Sequence, residues 1–174
     1  MGEPFAHVVL HQPEIPNNTG TIGRTCVALG CRLHLIHPLG FDIDERACRR
    51  AGLDYWPRLD LREHDDWVGY CQASGGARRW LLTTKAERSL FDVATKPGDH
   101  FVFGCETRGL PDEILEANAE ALVALPMQPG ERSLNLSVSV GAVLYSHVRY
   151  LIEMGELTSR NARISPESAN TASP

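Results

Sequence analysis

The stretch HFVFGCETRGLP, from His100 to Pro111, decides the fold. Its first half is a short apolar run that suits a buried strand. Its second half punctuates a turn with Gly104 and Gly109 and closes on Pro111, a residue favoured at a helix start. A buried strand breaking on glycines into a helix is the repeating unit of an open α/β sheet, and such sheets bind ligands just beyond the carboxyl ends of their strands. Gly104 and Gly109 allow close backbone approach, and Glu106 can accept from ribose hydroxyls or hold an arginine.

The same alternation runs outward in both directions. Ala6 to Leu10 (AHVVL) predicts a strand, Pro13 and Pro16 break it, and Asn17 or Asn18 is placed to cap a helix that Gly30 stops after Leu29. Arg32 to Ile36 predicts a second strand, and Asp44 to Ala51 a short helix ended by Gly52. A helix is expected from Asp65 to Cys71, then strands at Trp80 to Thr84 and Ala121 to Leu125. Between the last two, Pro111 to Asn118 reads as a helix with acids in its first turn. A long helix is expected from Leu134 to Met154. Strands alternating with helices indicate an α/β domain, with a mostly parallel sheet covered on both faces.

Two more segments are too particular for generic connections. Pro13-Glu14-Ile15-Pro16-Asn17-Asn18-Thr19-Gly20 combines rigid prolines with two amides, and Arg24 follows near the positive end of the helix. Leu125 to Ser137 joins a strand end to a helix start and carries Ser133, Asn135 and Ser137 where backbone N–H groups are free.

Composition bounds the class. The 174 residues suit one domain, and 43% hydrophobic with 22% charged residues is ordinary for a soluble globular chain. No apolar run reaches the roughly 18 residues of a membrane span, and the N-terminus lacks the pattern of a signal peptide. The five cysteines, an odd number without C-x-x-C spacing, read as reduced thiols of the cytoplasm. A net charge of −5 argues against broad nonspecific nucleic-acid binding but leaves room for a focused basic site. No dinucleotide fingerprint, phosphate-binding loop or hydrolase elbow is present. The seven histidines are scattered, so no metal site is expected. The polar residues 155–174 predict a disordered tail.

Together, Pro13 to Arg24, Arg50-Ala51-Gly52-Leu53-Asp54-Tyr55, Leu82-Thr83-Thr84-Lys85, Phe103 to Pro111 and Leu125 to Ser137 occur in the order seen in the SPOUT methyltransferases. The chain most resembles their minimal subgroup, which methylates the ribose 2'-hydroxyl of the tRNA wobble nucleotide, cytidine or a modified uridine. The likeness covers about residues 5 to 152. It implies a methyltransferase domain over 1–154, a deep C-terminal trefoil knot, a homodimer and a cytoplasmic enzyme. It implies S-adenosylmethionine as donor, S-adenosylhomocysteine as product and no metal.

The resemblance also assigns residues. Leu82 and Thr83, Gly104 and Glu106, and Leu125, Met127, Ser133 and Leu134 would line the donor pocket. Arg24 matches the family arginine placed at the reacting hydroxyl. A guanidinium with a pKa above about 12 is a poor base, so Arg24 is read as holding the adjoining phosphate or the developing alkoxide. Asn18, Ser133, Asn135 and Tyr145 would orient ribose and cofactor. Arg24, Arg46, Arg49, Arg50, Lys85 and Arg108 would meet the anticodon loop.

The chain departs from the family at Val138, where Asn is common, at Ser146, where Glu is common, and at Cys105. Gly141 in the last helix is expected to serve close packing, with that helix and the Asn18 to Leu29 helix forming the dimer interface. Two other readings stand beside this one: the same chemistry on another tRNA or rRNA ribose, and a silent knotted dimer that binds RNA or a protein.

Overall fold

A computed structural model describes residues 3–42, 54–160 and 163–166. The apolar runs form the strands expected of them. β1 (Ala6–His11), β2 (Arg32–Ile36) and β5 (Asp99–Phe103) are buried almost throughout. They sit at the centre of a six-stranded parallel sheet of order β3-β2-β1-β5-β4-β6, completed by β3 (Leu61–His64), β4 (Arg79–Leu82) and β6 (Leu122–Val123). The direction of winding reverses between β1 and β5, which opens a crevice at their carboxyl ends.

Alternate residues of each strand face opposite layers. Val8, Leu10, Phe101 and Phe103 pack with Ile22 and Cys26 of α1 (Pro16–Leu29) and with Val140, Val143 and Leu144 of a long C-terminal helix. Val9, Ile36, Leu81 and Val102 pack with Tyr70 of α2 (Trp67–Ser74) and with Ile114 and Leu115 of α3 (Asp112–Glu116). The long helix, α4 (Leu136–Glu153), lies beside α1. His147 on α4 bonds the Thr95 hydroxyl at 2.8 Å and the Phe5 carbonyl at 3.2 Å, tying the helix to the start of β1.

Several boundaries differ from expectation for physical reasons. α1 starts at Pro16 with Ile15 as its cap residue, and no side chain caps it. Asn18 lies inside the first turn, free for other bonds. Gly30 ends the helix in the left-handed region, φ 73°, as expected. The strand expected over Ala121 to Leu125 shrinks to two residues. Ala124 continues it as an isolated bridge to Ser89, because residues 88–90 fold back beside it. β3 (LREH) was silent in the sequence because an edge strand with mixed exposure shows no apolar alternation. Asn135 caps α4: its side-chain oxygen accepts from the Ser137 and Val138 amides.

The disordered tail expected from residue 155 needs correction. β7 (Leu157–Arg160) and β8 (Arg163–Pro166) form an antiparallel hairpin. Leu157 is buried against the domain and Ile164 packs on the same core. Two apolar anchors in a polar segment leave no periodic signal. The helix expected over Asp44 to Ala51 falls outside the described residues.

Candidate active site

The loops leaving β4, β5 and β6 converge with the loop leaving β1. They enclose a cleft of about 520 Å³ at the carboxyl edge of the sheet, a volume suited to a nucleoside-sized ligand. Leu82 and Thr83 end β4 and form one wall. Gly104 and Glu106 follow β5 and form the second. Leu125, Met127, Ser133 and Leu134 come from the loop between β6 and α4. Asn18, Asn135, Lys85 and Arg108 also reach the lining. Ile15, Leu110, Leu115 and Ser139 add to it without having been singled out from sequence.

Gly104 is fixed by sterics. A β-carbon there would lie 2.0 Å from the Gly109 carbonyl carbon, a distance only backbone movement could relieve. The loop folds on itself: the Gly109 amide donates to the Cys105 carbonyl at 3.0 Å, and Gly109 takes φ 72°. The strand-turn-helix reading of His100 to Pro111 thus has a specific cause in two backbones that touch.

A hydrogen-bond relay joins three of the segments. The Glu106 carboxylate accepts from the Glu14 amide at 2.8 Å, the Ile15 amide at 3.3 Å and the Asn18 side-chain amide at 2.9 Å. Asn135 Nδ2 donates to Asn18 Oδ1 at 3.0 Å. Glu14 returns the contact by accepting from the Thr107 amide and hydroxyl at 3.1 and 2.9 Å. Glu106 therefore holds the first loop, where the sequence reading had it accept from ribose or hold an arginine. The Glu14–Thr107 pair spans 93 residues and has no local sequence signal.

Two expected site residues are not brought into this cleft by their own chain. Arg24 stands on the exposed face of α1, pairs with Asp54 at 3.7 Å and lies over the Tyr55 ring at 4.8 Å. Tyr145 stands on the outer face of α4 and is 60% exposed. Helical spacing set this: Asn17, Thr21, Arg24 and Ala28 share one exposed stripe of α1, and Val138, Ala142, Tyr145 and Arg149 share one of α4. Lys85 is tethered to Asp112 across the cleft mouth. Arg46, Arg49 and Arg50 lie outside the described residues. Val138 is 57% exposed, so the amide that the family carries there would point away from the cleft.

A parallel sheet whose glycine and serine loops meet at the point of reversed winding defines an α/β protein that binds a nucleotide-like group. The chain belongs to the SpoU rRNA Methylase family, whose model matches residues 6–145. It is 49% identical over 139 residues to the tRNA (cytidine(34)-2'-O)-methyltransferase of Methylovorus glucosotrophus, a match covering 79% of this chain and 90% of that one. It is 44% identical to the enzyme of the same name from Escherichia coli K12, over 83% of this chain and 93% of that one. A solved structure described as "Structural insights into the 2-OH methylation of C/U34 on tRNA" superposes with a TM-score of 0.81 at 44% identity, covering 87% and 99% of the two chains. An AdoMet-bound rRNA methyltransferase from Sinorhizobium meliloti superposes at 0.73 with 25% identity, covering 86% and 58%. Among the described residues, no helix is long and apolar enough to cross a membrane.

Proposed function

We propose that this chain transfers a methyl group from S-adenosylmethionine to the ribose 2'-hydroxyl of the wobble nucleotide, position 34, of tRNA; the site of transfer is the one in the names of its relatives, and the donor is the one named for an AdoMet-bound neighbour. The observation that carries this reading is the convergence of three strand-end loops and the Asn18 loop on one cleft, cross-braced by Glu106 and Asn135.

The residues present fit the donor. Leu82, Leu110 and Leu125 offer apolar walls for a purine, and the bare Cα of Gly104 leaves backbone groups open to its edge. The donor supplies an already activated sulfonium methyl. The chain's own work is to align the nucleophile and manage its proton. Asn18 and Asn135 are locked in mutual orientation, each side-chain nitrogen and oxygen already bonded, so the wall they form is set before substrate arrives. Ser133 exposes its hydroxyl at the cleft rim. Arg24 would hold the phosphate beside the reacting ribose or the developing alkoxide. Lys85 and Arg108 at the mouth, with Arg46, Arg49 and Arg50, would meet the anticodon loop.

The enzyme would be a cytoplasmic homodimer with a single methyltransferase domain over 1–154, onto which the 157–166 hairpin packs, and a deep C-terminal trefoil knot. The exposed stripes of α1 and α4 support the dimer: the two helices lie side by side, and the stripe of α4 is apolar at Val138, Ala142 and Tyr145. Gly141 has open space where a β-carbon would sit, so packing within the chain does not account for it. Pairing these faces would carry Arg24 and Tyr145 towards the partner's cleft. The return of the chain from edge strand β6 to Asn135, beside Asn18 at the sheet centre, supports the knot.

Labelled donor incubated with the protein and bulk tRNA tests the function. Methyl incorporation that maps to the 2'-oxygen of nucleotide 34 is expected. Incorporation elsewhere would redirect the substrate, and none with any RNA would leave a silent binding module.

A further inference from the structure

Four histidines far apart in the chain meet on one face of the sheet, in a diagonal from the amino ends of β1 and β5 through the middle of β2 to the carboxyl end of β3. The parallel registers pair His7 with His100, Val9 with His34 and Ile36 with His64, so all four imidazoles share one face. Spacing along the sequence hides this, because strand order brings them together. His7 Nδ1 lies 2.9 Å from His34 Nε2, and His34 Nδ1 lies 2.9 Å from His64 Nε2. The Tyr70 hydroxyl is 2.8 Å from His100 Nδ1. The His7 and His100 rings stack with centroids 4.0 Å apart. One ring nitrogen from each of His7, His34 and His100 lies within 4.8 Å of the other two. These three residues border a cavity of about 500 Å³, whose lining includes Glu3 and Glu156.

We propose that His7, His34 and His100 form a binding site for one divalent transition-metal ion of the zinc type, with its fourth position open to the cavity. Neutral imidazole is a preferred ligand of such ions. Burial, the largest cause in each case, lowers the pKa of His7 to about 4, His34 to about 2 and His100 to about 3, so their nitrogens carry lone pairs at neutral pH. The outward nitrogens are already held. Tyr70 engages His100 Nδ1 and His64 engages His34 Nδ1, which leaves Nε2 of both rings for the ion. Such support for the far side of a ligating ring orients it and sets its tautomer.

The nearby charges fit a cation. Arg32, also on the cavity wall, is paired with Asp60 at 2.8 Å. Glu3 and Glu156 supply negative charge at the same cavity. Bonds of about 2.0–2.1 Å to one tetrahedral ion place two nitrogens about 3.3 Å apart. The His7–His34 pair must therefore open by a few tenths of an ångström. His100 must turn out of its stack on His7 about its terminal torsion, which is soft, and the Tyr70 hydroxyl must re-form its bond to Nδ1 in the turned position. The proton now shared between His7 and His34 has somewhere to go. His34 then carries its hydrogen on Nδ1, donated to His64 Nε2, and His7 carries its own on Nε2. The bound ion would pin β1, β2 and β5 together.

Untagged full-length protein, stripped with chelator and dialysed against micromolar zinc, is expected to retain one zinc per chain and to melt at a higher temperature. Cobalt(II) in its place is expected to show the visible ligand-field bands of a tetrahedral nitrogen site. His7→Gln and His100→Gln should each weaken zinc binding at least about tenfold. No retained zinc, or retention unchanged in both variants, would overturn the proposal and leave a neutral hydrogen-bonded cluster. Should the variants fail to fold, the cobalt spectrum of the unaltered chain decides: absent bands overturn it.

Discussion

At the carboxyl ends of β4, β5 and β6 the chain leaves the sheet through loops whose polar groups surround an open cleft. At the amino ends of β1 and β5 and the middle of β2, polar side chains are packed inside. His7, His34, Asp99 and His100 are each no more than 7% exposed. Asp99 there accepts from Arg78 through both carboxylate oxygens, from Trp80 Nε1 and from the Lys96 amide. Such buried polar groups are tolerable only when bonded. The two edges of one sheet thus divide the labour. Cleft changes should alter rate more than stability, and changes at the amino edge should do the reverse.

Arg24→Ala carries the largest expected effect on the reactive side. Transfer should fall about 10²–10³-fold, as for loss of a group that stabilises developing charge, while calorimetry finds donor affinity unchanged. Loss of both would move Arg24 into the donor pocket and break the dimer-borne reading of its role. Glu106→Ala should cost about a hundredfold in single-turnover rate by loosening the Asn18 loop. Its melting temperature should change less than that of the amino-edge variants.

On the sealed side, Asp99→Ala should cost about 2 kcal/mol, since it strips four donors of their acceptor and Arg78 recovers part of the loss through water. That corresponds to a fall of about 5 °C in Tm for a chain of this size. Tyr70→Phe, which leaves His100 Nδ1 without its partner, should cost about 1 kcal/mol in denaturant unfolding. Either variant losing methyl transfer in proportion, while still folded, would show that the edges are coupled.

Much of the architecture was legible because central parallel strands are apolar on both faces. AHVVL, RLHLI and HFVF announce themselves by composition. The glycine turn after β5 was legible too, since Gly104 and Gly109 have no substitute where two backbones touch. β3 and the 157–166 hairpin were not, because each rests on one or two apolar anchors against exposed neighbours. In the cleft, the family resemblance nominated Leu82, Gly104 and Ser133, and these residues do line it. The resemblance could not show that Glu106 spends its oxygens on the Glu14 and Ile15 amides, a pairing across some ninety residues. Nor could it show that Arg24 and Tyr145 face outward, because a resemblance assigns roles without saying which face of a helix a residue occupies.

The overlap that a β-carbon at Gly104 would make with the Gly109 carbonyl has a genetic corollary. The collision is with main chain, so no compensating trim of a neighbouring side chain could admit even alanine. In a saturation library scored for soluble, active protein, only glycine codons should survive at this position, however gently the selection is applied.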